Sequence, residues 1–128
     1  MDQIKIRRKL IELARQGKGM TWSYSQLNDQ LPLGLDFSRK QDIGQLGEWL
    51  DEISLHEYQK ERPLLSCMVK QGFGKGNYGE GFYKLYASLF GGDWEQYQGD
   101  KDWEKKLIDK CNIFWKNPDN FEMFKNDF

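Results

Sequence analysis

Apolar residues recur at helical spacing along most of the chain. Between Asp2 and Gln16, Ile6, Leu10, Leu13 and Ala14 form one stripe with Lys5, Arg8, Lys9 and Arg15 around it, and Gly17-Lys18-Gly19 ends the helix this predicts. Thr21-Trp22 reads as a short extended segment. Ser23 and Gln26, three residues apart, form a capping-box pattern that opens a second helix to about Gln30, which Pro32 stops. The linker Leu33-Gly34-Leu35-Asp36-Phe37 is partly apolar and reads as packed down. Ser38 and Gln41 repeat the box and open the longest helix, predicted over 39–60, with Ile43, Leu46, Leu50, Ile53 and Tyr58 near one face. Arg62-Pro63 cannot continue it. The apolar run Leu64-Leu65-Ser66-Cys67-Met68-Val69 then predicts a strand over 64–70, a turn-rich tip over 72–81, and a helix from Phe82 to Leu89. After Gly91-Gly92-Asp93, Trp94 to Gln98 reads as irregular or one helical turn. Asp100 caps a helix to about Lys116 with Trp103, Leu107, Cys111 and Phe114 as its stripe. Asn117-Pro118 supplies a cap and a first-turn proline for a last amphipathic turn bearing Phe121, Phe124 and Phe128.

This pattern predicts one domain over 1–128 in the α+β class, mainly helical: an N-terminal helix (1–20), a central unit (21–90), and a C-terminal helix and tail (91–128). Charge is balanced at −1 overall, so the whole molecule is not an adhesive for DNA or membranes. The distribution is uneven. Residues 1–25 carry six basic and two acidic side chains, residues 26–69 four and eight, residues 70–84 three and one, and residues 92–128 six and nine. A basic surplus therefore sits at the start of the chain and in the glycine loop. Aromatic residues make up 15%, so part of that stock is expected on a surface or in a groove. No apolar run approaches the roughly 20 residues of a membrane span, and Met-Asp-Gln-Ile-Lys lacks the apolar core of a signal peptide. Cys67 and Cys111 fall on positions predicted buried and read as small hydrophobes of a reducing, cytoplasmic protein, not as a disulfide pair.

Helix, tight connection, helix, then a β-hairpin with a glycine-rich tip is the order of a winged helix. Thr21-Trp22-Ser23-Tyr24-Ser25-Gln26-Leu27 resembles the Thr-Tyr-Gly-Glu-Leu-Ala segment that opens the DNA-binding domain of the methylated-DNA cysteine alkyltransferases. Ile43-Gly44-Gln45-Leu46 is similar to the Val-Gly-x-Ala of that family's recognition helix. Val69-Lys70-Gln71-Gly72 with Gly76-Asn77-Tyr78-Gly79-Glu80-Gly81-Phe82 resembles its wing. The resemblance implies a winged-helix-like centre with a small β-hairpin and an added C-terminal helix. The alkyltransferase motif Pro-Cys-His-Arg-Val is absent: the chain reads Arg62-Pro63-Leu64-Leu65-Ser66-Cys67-Met68-Val69, with no histidine beside Cys67. A second resemblance covers most of the chain, to a family of small bacterial proteins of no assigned function. Its signature runs Leu-Gly-Glu-Ile-Ser-x-Tyr-Glu-x-Glu-x-Gly-Arg-Pro-Leu-Leu-Ser-Ala-Val-Val, then Pro-Gly-x-Gly-Phe-Phe-x-Leu-Ala. Matching residues here are Ile53-Ser54, Glu57, Arg62-Pro63-Leu64-Leu65-Ser66, Val69, Gly79, Gly81-Phe82 and Leu85. That likeness implies a fold and no activity.

Gly74-Lys75-Gly76-Asn77-Tyr78-Gly79 has the spacing of a dinucleotide loop, but no second buried strand follows, so a hairpin tip is the simpler reading. His56 is the single histidine, which excludes a multi-histidine metal centre; no metal and no cofactor are expected. Glu57 and Arg62 are expected to pair and hold the turn between them. The other reading of that region is a polar recognition or catalytic site made of Tyr24, His56, Glu57, Arg62 and Ser66. Arg39 and Lys40 oppose the dipole of the helix they open, and a phosphate is one partner that would relieve them. The leading expectation is a non-enzymatic binding module for nucleic acid, presenting Arg39, Lys40, Gln45, Lys70, Lys75 and Tyr78 from the central helix and the wing. The rival is a protein-interaction module, a partner or inhibitor in a bacterial or phage conflict system, anchored by Phe121, Phe124 and Phe128. A third class is an enzyme that uses Cys67 or the Glu57/Arg62 cluster.

Overall fold

The computed structural model describes residues 2–72 and 77–128. Among these, six α-helices are joined by loops, two 3-10 turns and two strands of two residues each. Helix α1 (Asp2–Gln16) turns Ile6, Leu10, Ile11, Leu13 and Ala14 inward, and Arg7 with them. It ends at Gly17, whose φ of 65° a side chain would oppose. Strand β1 (Trp22–Ser23) runs straight into α2 (Tyr24–Gln30), and the predicted capping box is formed. Gln26 N–H donates to Ser23 Oγ at 3.1 Å, and Ser23 N–H donates to Gln26 Oε1 at 2.8 Å.

The second predicted box does not form. Asp36 accepts from the Ser38 amide and hydroxyl at 3.0 and 2.7 Å, and this charge-assisted turn holds the Ser38 side chain away from the helix N–H groups it would otherwise accept from. Asp42 in turn accepts the Asp36 N–H at 2.8 Å, and α3 (Lys40–Gln59) starts with Arg39 as its N-cap. Helix α3 buries Leu46, Leu50 and Ile53, as its stripe predicts, and also Ser54 and Glu57.

The strand expected over 64–70 is corrected in its first part. Leu65–Met68 is a 3-10 turn, and only Val69–Lys70 forms strand β2. This stretch is buried against α1, α3 and α5 (Lys101–Lys116), where no neighbouring strand can pair with it. A buried backbone must satisfy its polar groups locally, and a 3-10 turn does so. Ser66 completes the arrangement: its N–H donates to Ser54 Oγ at 3.0 Å and the two hydroxyls share a further hydrogen bond.

The expected hairpin is corrected too. Strand β2 pairs in parallel with β1, Trp22 opposite Val69 and Ser23 opposite Lys70. Across the glycine loop, Gln71 N–H donates to Asn77 O at 3.1 Å; the tip between them, Lys75 included, lies outside the described residues. The chain is thus α+β and mainly helical, with a small parallel sheet. After α4 (Glu80–Phe90) comes a 3-10 turn, Trp94–Tyr97, then α5, capped by Asp100 through Trp103 N–H at 3.1 Å. Helix α6 (Pro118–Phe124) follows, with the Asn117 side chain accepting from Asp119 and Asn120 N–H and Pro118 in its first turn.

Helices α1 and α5 pack along one another, and α3 with the Leu65–Met68 turn closes the core from the other side. Much of the aromatic stock goes inside. Trp103 stacks on Tyr83 and Tyr97 at centroid distances of 5.7 and 5.0 Å and takes Tyr86 edge-on at 5.1 Å. No helix among the described residues is long and apolar enough to cross a membrane.

Candidate functional site

Glu57 is fully buried and accepts four guanidinium N–H bonds. Arg62 Nε and Nη2 donate at 2.9 and 3.2 Å, and Arg7 Nε and Nη2 donate at 3.0 and 3.2 Å. A carboxylate offers about four lone-pair positions, so none remains for a substrate. The remaining guanidinium hydrogens go to the chain end. Arg7 donates to Phe124 O and Lys125 O at 3.0 and 2.9 Å, the last carbonyls of α6, where a cation complements the helix dipole. Arg62 donates to Asp127 Oδ2 at 2.7 Å and to Asp127 O at 3.1 Å. Two cations thus meet two carboxylates. Burial works to lower the Arg62 pKa, but its hydrogen bonds to Glu57 and Asp127 outweigh that and raise it. The hydrogen bond from Arg62 holds Asp127 below the usual carboxylate range.

The other expected polar-site residues are also engaged. His56 Nε2 lies 3.0 Å from Asp127 O and its ring meets Phe128 edge-on at 5.1 Å. Ser66 is bonded to Ser54. Cys67 is fully buried with its sulfur 3.4 Å from that of Cys111, which makes the two thiols neighbours although their sequence positions gave no sign of it. The hydrogen bond with Cys67, then burial, raises the Cys111 pKa, the reverse of what a nucleophile needs. Of the expected set, Tyr24 and Ser66 stand apart from the ionic cluster, and both line a second cleft beside α3.

Of the expected nucleic-acid residues, Lys75 lies outside the described residues, and Lys70 and Tyr78 are turned to partners within the chain. Lys70 is committed to Glu104 at 3.0 Å and is mostly buried. Tyr78 is buried, and its hydroxyl donates to Cys67 O at 2.7 Å instead of facing solvent. Arg39 has Asp36 at 3.7 Å as its partner, so a phosphate is not required there. Lys40 is exposed and Gln45 half-buried. The exposed positions of α3 include Glu48 and Glu52, acids where a recognition helix carries bases.

The expected aromatic anchors of the tail pack on their own chain. Phe124 lies under Arg62 at 5.0 Å and stacks on Phe114 at 6.0 Å. Arg15 sits 3.7 Å over Phe121, and Arg7 lies 5.7 Å from the Phe128 ring.

What the fold does leave open is a groove of about 900 Å³ between the C-terminal ends of α3 and α4 and the outer face of α5. Tyr58, Tyr86 and Phe90 form one wall, with ring centroids 5.3 Å (Tyr58–Phe90) and 4.5 Å (Tyr86–Phe90) apart; Leu107, Ile113 and Phe114 form the other. Phe90 is 55% exposed and Ile113 74%. Lys110 lines the groove, with Lys106 one turn away along α5, and neither has a carboxylate partner among the described residues. Sequence pattern missed this groove because it depends on how α4 and α5 splay. Ile113 gave the one available signal, an apolar residue outside the stripe of α5. Comparison of the chain with family models, with curated proteins and with solved structures finds no match.

Proposed function

We propose that the protein is a non-enzymatic interaction module whose groove holds one amphipathic helix of a partner protein, apolar on one face and acidic along its edges. The observation that carries this is the pair Phe90 and Ile113, two large apolar side chains left in water on opposite walls of one groove. Aromatic side chains in a partly formed recess are the usual anchors of protein interfaces. Lys106 and Lys110 beside the groove favour acidic flanks on the occupant, in a molecule whose overall charge is −1.

Nucleic-acid binding through a winged-helix-like centre is less favoured. It would rest on Lys40, Gln45 and Lys75, since Arg39, Lys70 and Tyr78 have partners of their own.

The test uses two designed helical peptides with the same Leu/Phe face, one with glutamates on the polar face and one with lysines. The acidic peptide binds, more weakly as salt is raised, and the basic one does not. Phe90→Asp with Ile113→Asp weakens binding by more than about tenfold, or 1.4 kcal/mol; Ile113→Asp alone weakens it without lowering Tm, because that side chain is 74% exposed, whereas Phe90 also packs on Tyr58 and Tyr86. Equal binding of the two peptides, unchanged binding by the double variant, or a shift of DNA or RNA at low salt by folded protein would overturn it.

A further inference from the structure

A second cleft, of about 320 Å³ and separate from the groove, opens where α3 passes the β1–β2 pair and the start of α4. Leu50, Val69 and Phe82 are apolar walls; Tyr24, Glu48 and Asp51 are joined as polar groups by Ser66, Gln71 and Glu80. Tyr24 is 7% exposed, yet its hydroxyl has no hydrogen-bond partner among the described residues. That hydroxyl points into the cleft: it lies 3.2 and 3.9 Å from where a Cβ on Gly79 or Gly47 would stand, and both glycines line the space. The ring is buried while the hydroxyl keeps an opening to solvent through the cleft, so it is free to meet a ligand there.

The charge of the cleft says which ligand. Asp51 has no ion pair or hydrogen bond among the described residues, and burial, then Glu48, push its carboxyl up to about 6. Burial, then Asp51, push the Tyr24 phenol up to about 12, so it stays neutral. Glu80 at the rim is paired with Lys84 at 3.0 Å, which leaves Glu48 and Asp51 uncompensated, three residues apart on one face of α3. The start of α4 brings the partial positive charge of a helix N-terminus, about half a unit, too little to neutralise two carboxylates. An anion is repelled. Among the described residues no group of three or more acidic, histidine or cysteine side chains is placed to hold a metal ion. An organic cation is left, and apolar walls suit a weakly hydrated planar one better than an ammonium.

We propose that the Tyr24–Asp51 cleft binds an alkylguanidinium group, with the fork donating to the Asp51 carboxylate and the Tyr24 oxygen and the alkyl stem lying on Phe82. Its source is either a small molecule or an arginine side chain of a second protein.

The test is amide NMR of the full chain titrated with propylguanidinium, with propylammonium, and with propylurea as the neutral isostere. Propylguanidinium is expected to give saturable shifts at Gly44, Gly47, Gly79 and Gly81, propylammonium weaker ones, and propylurea none. Asp51→Asn weakens binding by about tenfold, the scale of one charge-assisted hydrogen bond, while Tm is not lowered. Tyr24→Phe keeps the ring packing and weakens binding about two- to fivefold, as loss of a neutral hydrogen bond does. A capped peptide with one arginine separates the sources: tighter binding than propylguanidinium assigns a partner side chain, equal binding a small molecule. Equal shifts with propylurea, equal affinity for propylammonium, or indifference to Asp51→Asn would overturn the assignment.

Discussion

Glu57 and Asp51 stand six residues apart on one helix and should respond to loss of charge with opposite signs. Glu57 is the hub between two buried guanidiniums. Glu57→Gln keeps the shape but leaves those cations with Asp127 alone, and breaking a buried charge network of this kind costs about 3–5 kcal/mol. Urea unfolding measures it; an unchanged midpoint would show that the cluster does not hold the fold. Asp51 is the reverse case. Its folded pKa of about 6 lies above the ordinary 3.8, so its contribution to stability falls as pH rises between those values and the penalty is complete above them. Two units would correspond to about 3 kcal/mol at full value, and partial exposure of the carboxyl brings this to about 1. Asp51→Asn should therefore raise Tm at pH 7.5 and leave it unchanged below pH 4. Glu61 holds a left-handed φ of 59°, a conformation that glycine adopts without a side-chain clash. Glu61→Gly should stabilise by about 1 kcal/mol, read as a shift in the urea midpoint at constant slope. The Glu57–Arg62 pair was legible in sequence because its members flank a proline turn. Arg7 was missed, although a base at three and seven residues from Leu10 and Ala14 on an apolar stripe signals a buried acid elsewhere.

At the scale of elements, the tail is a lid and not a free arm. Helix α6 covers the ionic cluster with Phe124 and gives it two terminal carbonyls. Phe124→Ala removes packing and a cation–π contact from a half-buried site, for about 2 kcal/mol. A tail that served only to bind a partner would leave the urea midpoint where it was. Helix ends were the most legible feature, because Ser23, Asp100 and Asn117 act on their own next turn and local chemistry decides them. The Ser38–Gln41 box failed for an equally local reason, the competing carboxylate of Asp36. The run from Leu64 to Val69 was illegible: a buried apolar segment has no periodicity of its own, and only the absence of a neighbouring strand makes it a 3-10 turn.

At the scale of the whole molecule, about half of the basic surplus read from sequence is taken up inside the chain, while Lys5, Arg8 and Lys18 stay exposed. Arg7 is buried, Lys9 pairs with Glu12, Arg15 covers Phe121, Lys70 serves Glu104 and Lys84 serves Glu80. Lys9 and Lys84 pair within their own helices, whereas the long-range partners of Arg7, Arg15 and Lys70 leave no trace in a count of charges. The same core gives a global readout. Cys67 and Cys111 are both 0% exposed, between the Leu65–Met68 turn and α5, with Cys111 Sγ also 3.3 Å from Leu64 O. No local opening of a loop uncovers them; α5 must leave the turn. A thiol reagent should thus be inert to the native protein and label both sulfurs only through global unfolding. When reclosing is faster than labelling, the rate follows the unfolded population. Each 1.4 kcal/mol of lost stability then speeds labelling about tenfold. Glu57→Gln should accelerate it by at least a hundredfold, Phe124→Ala by about thirtyfold, and Asp51→Asn at pH 7.5 should slow it. Rapid labelling of one cysteine in the wild-type protein, or rates that ignore these substitutions, would mean that α5 separates from the turn on its own and that the chain does not unfold as one unit.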